Sequence, residues 1–109
     1  MEINRFDVVL VRLDPTIGRE IKKTRPAIVV SPNEINHNWS PLVVVPLTSK
    51  MQDLGFRIGV TFQGTKGQAA LDQLKAIDRK RIVKKLGKLS VGDSHAVQEG
   101  LLLFFRKES

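Results

Sequence analysis

The side chains available for chemistry in this sequence form a short set. There is no cysteine, and the two histidines, His37 and His95, stand far apart in the chain. Disulfides, thiolate metal sites and thiol nucleophiles are therefore excluded. A zinc site needs His or Cys at close spacing, and a two-metal hydrolase needs clustered carboxylates. A paired-histidine mechanism needs the fold to join His37 to His95, and two surface histidines are the plainer reading. No Gly-rich phosphate loop of the P-loop kind is present. What remains is chemistry with Arg, Lys, Glu, Thr and Ser, implying no metal and no cofactor.

The charge suggests what that set could act on. Eighteen Lys and Arg stand against eleven Asp and Glu, a net charge of +7. Such an excess favours a polyanion, most commonly nucleic acid. It is concentrated in two tracts. Lys75, Arg79, Lys80, Arg81, Lys84, Lys85 and Lys88 have Asp78 as the one acid among them. Arg19, Lys22, Lys23 and Arg25 face Asp14 and Glu20. Two basic loops on a small fold could form one groove for a phosphate backbone; a solvated charged face has the same composition. RNA brings its own nucleophile, the 2′-hydroxyl beside the scissile phosphate. A protein need align that hydroxyl, accept its proton at a carboxylate and stabilise the charge growing on the phosphoryl oxygens. A guanidinium suits the last task because its donors fork onto two oxygens, and a Thr or Ser hydroxyl can add a hydrogen bond.

The elements that must position such groups are short. A length of 109 residues fits one domain over 1–109, and 41% hydrophobic with 6% aromatic residues predicts an aliphatic core. Phe6 to Leu13 is β-branched and reads as a strand, closed by the turn chemistry of Asp14-Pro15-Thr16-Ile17-Gly18. Arg19 to Thr24 reads as an exposed loop, and Ala27 to Val30, after Pro26, as a buried strand. Pro32 to Trp39 suggests a loop or one helical turn. Leu42 to Val45 predicts a third strand closed by Pro46. Phe56 to Phe62 alternates apolar and polar residues with a period of two. Gly64-Thr65-Lys66-Gly67 reads as a turn, with Gln68 to Leu71 pairing back. Asp78 to Ile82 suggests a short helical turn and Lys84 to Leu89 a last strand. Ser90 followed by Asp93 marks a helix start, and the spacing of Val97, Leu101, Phe104 and Phe105 predicts a helix over about 91–106. Many short strands and one terminal helix predict a mainly β fold, a small bent antiparallel barrel capped by a helix. The first seven residues carry no apolar run and no stretch is long enough to span a membrane, so the expectation is a cytoplasmic protein.

Three blocks carry a resemblance. Leu13-Asp14-Pro15-Thr16, then Gly18, Glu20 and Lys23-Thr24-Arg25-Pro26-Ala27-Ile28-Val29-Val30-Ser31, resemble the opening of MazF/PemK toxins. Val45-Pro46-Leu47-Thr48-Ser49 is similar to their second block, and Asp72-Gln73-Leu74-Lys75-Ala76-Ile77-Asp78, with Arg79 and Arg81, to their third. The resemblance runs from about Arg5 to Leu103. It implies an SH3-like barrel of the MazF/PemK/CcdB type with a C-terminal helix, assembled as a homodimer. It implies the toxin of a type II toxin–antitoxin system: an endoribonuclease that cuts single-stranded RNA, including mRNA, at short sequences without a metal. The products would be a 2′,3′-cyclic phosphate and a 5′-hydroxyl. A cognate antitoxin would insert an acidic tail into the RNA groove. By this likeness Arg25 and Thr48 match catalytic residues, and Glu20 matches a loop acid proposed as base in some relatives. Ser49, Lys50, Asp72, Gln73, Arg19, Lys22 and Lys23 would contact RNA. Bland alternatives are a salt bridge for Arg25, a turn hydroxyl bonded to its own backbone for Thr48, pairing with Lys22 or Lys23 for Glu20, and a turn cap or an orienting contact to Arg25 for Asp72.

The sequence also departs from the family pattern. Phe6 stands where relatives usually have Gly, and Val9 where many have Trp. Ala70 occupies the position of an Arg that some members use, and Arg19 one that is His in others, so the expected chemistry rests on Arg25 and Thr48. Base choice is expected to depend on the loops around Thr16 to Thr24 and Ser49 to Gly55. The same fold type serves gyrase-poisoning toxins, which lack the Arg-Pro and Thr-Ser pair and depend on C-terminal aromatics. The ending Phe104-Phe105-Arg106-Lys107 keeps that alternative open, as does an RNA-binding module with degenerate chemistry.

Overall fold

The β-branched run Val8 to Val11 and the apolar run from Ala27 to Val30 favour extended backbone, and in the computed structural model they lie side by side. The structure describes residues 1–12 and 24–108. Its strands are β1 (Asp7–Arg12), β2 (Thr24–Val29), β3 (Leu42–Thr48), β4 (Arg57–Phe62), β5 (Thr65–Ala70), β6 (Lys75–Ile77) and β7 (Ile82–Lys88), with helices α1 (Asn33–Asn38) and α2 (Val91–Phe104). Single 3₁₀ turns occupy Leu71–Gln73 and Arg79–Arg81. The antiparallel sheet runs β4-β5-β3-β2-β1-β7, and β6 pairs with β3. The expected mainly β, barrel-like fold with a C-terminal helix is present, its sheet bent but not closed into a ring.

The central strands are buried on both faces, which is why they read as apolar runs and not as alternation. Val8, Ile28, Val45 and Leu47 join Val60, Leu71 and Val97 of α2 in one cluster. Val9, Val11, Ala27, Val29 and Val44 join Ile3, Leu42, Ile77 and Ile82 in a second. Helix α2 starts as anticipated: the Ser90 Oγ accepts the Asp93 N–H at 3.1 Å. The Asp93 carboxylate in turn accepts the Thr61 N–H at 2.9 Å, tying the helix to β4.

Four expectations need adjustment. The second strand begins at Thr24, because Pro26 faces Leu10 within the β1–β2 pairing and ends no ladder. The third strand continues through Pro46 to Thr48. A proline is tolerated there because the far edge of β3 is interrupted at its level: β6 pairs up to Val44, and β5 starts at Leu47. The hairpin turn is Gln63-Gly64, both with positive φ (51° and 80°), so Thr65 already opens β5 opposite Phe62. Lys75–Ile77, a three-residue strand inside a charged tract, had no readable periodicity of its own.

The Phe6 departure has a structural counterpart. Phe6 has φ 70°, a left-handed conformation that glycine adopts without steric cost. Its ring packs against the first cluster and lies under the Arg5 guanidinium at 5.2 Å. Side-chain packing here offsets backbone strain of about 1 kcal/mol.

Candidate active site

Two of the residues singled out from the sequence, Arg25 and Thr48, lie toward the ends of the neighbouring strands β2 and β3. Strands β2 and β3 are paired through Ala27–Pro46, Ile28–Val45 and Val29–Val44. The recorded pairing ends at Ala27–Pro46; continued by two residues on each strand, the same register would bring Arg25 level with Thr48. Arg25 is exposed and Thr48 half-buried. Toward β1, Arg25 is paired with Val11. Arg25 thus stands near the start of β2 and Thr48 at the end of the neighbouring β3.

Thr48 is held by its own turn. Its Oγ1 accepts the backbone N–H of Lys50 at 3.1 Å, the local bonding envisaged as its bland role. That contact occupies the oxygen as acceptor and leaves the hydroxyl proton to be donated elsewhere. Ser49 and Lys50 follow as exposed residues. On the other edge Thr48 faces Gln68 of β5. Gly67, next to Gln68, approaches so closely that a Cβ there would lie 2.9 Å from the Thr48 carbonyl oxygen. Gly67→Ala should therefore displace the Thr48 backbone. We expect an activity loss of about tenfold or more with a small change in Tm, measured by RNA cleavage and thermal melts; full activity would show that Thr48 need not sit where it does.

The loop after Thr48 is pinned by a residue the sequence reading passed over. Gln68 is buried, accepts the Gln52 N–H at 3.0 Å and donates to the Gln52 carbonyl at 2.9 Å. Its signal was a polar residue leading into the buried Ala69-Ala70-Leu71, a place where a side chain must find partners.

Asp72 and Gln73 sit in the 3₁₀ turn after β5. Both Asp72 oxygens accept from Arg57, at 2.8 Å from Nε and 3.2 Å from Nη2. Arg57 lies opposite Ala70 in the β4–β5 register. Hydrogen bonding to this guanidinium holds the Asp72 carboxyl below its ordinary value, and the same bond raises Arg57 further above neutrality. The sign follows: the pair is intact at neutral pH, and its contribution is lost only as pH falls below the ordinary carboxylate range of about 4. Gln73 is exposed. Glu20, Arg19, Lys22 and Lys23 lie outside the described residues.

The basic tract divides by function. Arg79 donates to the carbonyls of Asn36 and Trp39, closing α1 onto the body. Arg81 donates to the Arg12 carbonyl at 3.3 Å. Lys85 and Lys88 approach the buried Asp7 carboxylate at 3.1 and 3.9 Å. Lys75, Lys80 and Lys84 are exposed, with no side-chain partner among the described residues. His37 bonds Asn4 at 2.8 Å, while His95 lies in α2, lining a different cleft. Among the described residues no three His, Asp or Glu side chains gather as metal ligands. Among the described residues no helix is long and apolar enough to cross a membrane.

A bent, barrel-like antiparallel sheet with one C-terminal helix defines the fold class. The chain belongs to the PemK-like, MazF-like toxins of type II toxin–antitoxin systems, whose family model matches residues 4–105. It is 37% identical to endoribonuclease PemK of Escherichia coli over 84 residues, 72% of this chain and 63% of that protein. It is 35% identical to the endoribonuclease toxin MazF of Escherichia coli K12 over 71 residues, 65% of this chain and 64% of that one. It therefore matches somewhat less than two thirds of the length of each. Among solved structures, MazF in the MazE–MazF complex of Deinococcus radiodurans aligns with a TM-score of 0.83 at 22% identity, covering 99% of both chains. An endoribonuclease from a mycobacterial species, in complex with its cognate antitoxin, aligns with a TM-score of 0.79 at 17% identity, over 97% of this chain and 99% of that one. The shared fold explains how three sequence blocks, distant in the chain, belong to one pattern.

Proposed function

We propose that this toxin is an endoribonuclease that cuts single-stranded RNA, mRNA included, through the substrate's own 2′-hydroxyl and without a metal. The observation that carries the reading is the β2–β3 pairing, whose register, extended past Ala27–Pro46, would bring Arg25 level with Thr48. In this scheme Arg25 forks onto two phosphoryl oxygens as charge develops, and Thr48 donates to a third group on the phosphate. The 2′-oxygen bonds to phosphorus as the bond to the 5′-oxygen breaks, leaving a 2′,3′-cyclic phosphate and a 5′-hydroxyl. Glu20 takes the 2′-hydroxyl proton, and the departing 5′-oxygen gains a proton from solvent water. Ser49, Lys50, Asp72, Gln73, Arg19, Lys22 and Lys23 line the path of the strand. The relatives named endoribonuclease support this assignment.

Purified protein, in EDTA, should cut a long RNA into discrete fragments. A 2′-deoxy nucleotide at the cleaved position should abolish that cut, and an intact cut there would rule out the proposed nucleophile. Loss of all cutting in EDTA, restored by a divalent ion, would overturn the metal-free mechanism.

We further propose that the toxin acts in the cytoplasm as a homodimer and is inhibited by an antitoxin with an acidic tail. The apolar end of α2 supports a second copy: Leu102, Leu103 and Phe105 are each more than 60% exposed, and Phe104 is 41% exposed. The MazE–MazF complexes of Deinococcus radiodurans support the antitoxin partner.

A further inference from the structure

Beside Thr48 the surface opens into a cavity of about 320 Å³ that no step of the proposed cleavage uses. Its walls are apolar: Pro26, Leu47, Val60, Phe62 and Leu86. Its rim is polar, formed by Thr48 and Ser49 on one side and by Gln63 of the hairpin turn with Thr65 and Lys66 at the start of β5 on the other. A small apolar chamber with a few polar groups at its mouth is the usual form of a site for a small planar ligand.

Three backbone features hold the cavity open. Gly67 carries no side chain where β5 meets the Thr48 carbonyl. Gly87, with φ +158°, lies against the Phe62 ring; a Cβ there would stand 3.2 Å from the ring carbon Cζ. Between them β7 bulges: Val8 pairs with Gly87 and Val9 with Lys85, so Leu86 is the extra residue and lines the cavity. The Gln63 amide nitrogen donates to the Leu86 carbonyl at 3.1 Å, clamping the hairpin turn to the bulge. Gln63 keeps its amide oxygen as an acceptor, and the hydroxyls of Ser49 and Thr65 and the ammonium of Lys66 supply donors.

We infer that this cavity is a nucleobase subsite, and that the β4–β5 hairpin, through Phe62, Gln63 and Lys66, sets the base preferred next to the cut. The inference rests on the nuclease reading above and names where that enzyme would read its substrate. Position supports it: the cavity shares Thr48 with the proposed phosphate site and includes Pro26, next in the chain to Arg25. A base one nucleotide from the scissile phosphate is the group within reach. Chemistry supports it too. An aromatic wall offers a face for stacking, and donors and an acceptor along one rim match a base edge. Among the described residues no carboxylate lines the cavity, and Lys66 at its rim favours the residue of a polyanion. An aliphatic peptide side chain would fill the walls but leave the rim groups without partners.

The test is 5′-end sequencing of fragments from a long RNA of mixed sequence, cut by the wild type, Gln63→Ala, Lys66→Ala and Phe62→Leu. The first two substitutions are at exposed positions, on the turn and on β5 beside it; the third keeps apolar volume and removes the ring. In the variants, preference at one position flanking the cut should flatten by about tenfold, read as the ratio of kcat/KM for the best and worst base. Preferences at other positions should persist. If the wild type cuts and all three variants keep its preference everywhere, the subsite assignment is wrong while the nuclease reading stands. If the wild type does not cut, both fall. If preference is unchanged but inhibition by an acidic, leucine-containing peptide is lost, the cavity receives a protein side chain and the inference is overturned.

Discussion

Replacing Arg25 with alanine lowers cleavage of a long single-stranded RNA by about a thousandfold or more, with the melting temperature essentially unchanged. The size follows from the nature of the interaction. A guanidinium that meets a phosphate mainly as its charge grows contributes to the transition state more than to binding, so the loss should fall on kcat and not on KM. Arg25 is exposed near the start of β2, so its removal leaves no cavity and, among the described residues, no orphaned buried partner. Arg25→Lys should recover little, because an ammonium cannot fork onto two oxygens. Thr48→Val, which keeps the shape and removes the hydroxyl, should lose less, about a hundredfold. Wild-type kcat in Arg25→Ala would remove the central element of the mechanism, whereas a collapsed melting temperature would reassign Arg25 to stability.

A second large effect concerns stability and lies away from the site. Asp7→Ala should destabilise the fold by about 2 kcal/mol, lowering Tm by roughly 10 °C. Asp7 is fully buried. One carboxylate oxygen accepts the Asn4 N–H at 2.7 Å and lies 3.1 Å from Lys85; the other faces Lys88 at 3.9 Å. The carboxylate thus ties the chain entering β1 to the edge strand β7. Its lysines remain partly exposed, so they rehydrate once Asp7 is gone, which keeps the cost below that of stranding a buried charge. Asp7→Asn should lose about half as much, because the amide oxygen can still accept from Asn4. Denaturant or thermal melts of both variants measure this; equal stability of all three proteins would show that the ion pairs contribute nothing net.

Asp7 also illustrates where the sequence could be read and where it could not. Local rules carried the elements whose causes are local. Ser90 and Asp93 are three residues apart, so the N-cap of α2 was legible. Phe56 to Phe62 alternates, so β4 was legible. Pairings between residues far apart in the chain were not. Asp7 looked like the start of a strand, and only the fold brings Lys85 and Lys88 to it from the opposite end. The seven-cation tract looked like one surface, yet Arg79 and Arg81 turn inward to backbone carbonyls, because helix α1 and strand β1 happen to pass beside them. Residue types and the three family blocks, all contiguous in the chain, identified Arg25 and Thr48 as candidates. The β2–β3 pairing, together with the gap between β6 and β5 that lets Pro46 stay in line, brings the strand ends that carry those candidates to one end of the sheet. The cavity beside them arises from a bulge in β7 and two close backbone approaches at Gly67 and Gly87. Those are properties of packing between strands, and no single stretch of sequence encodes them.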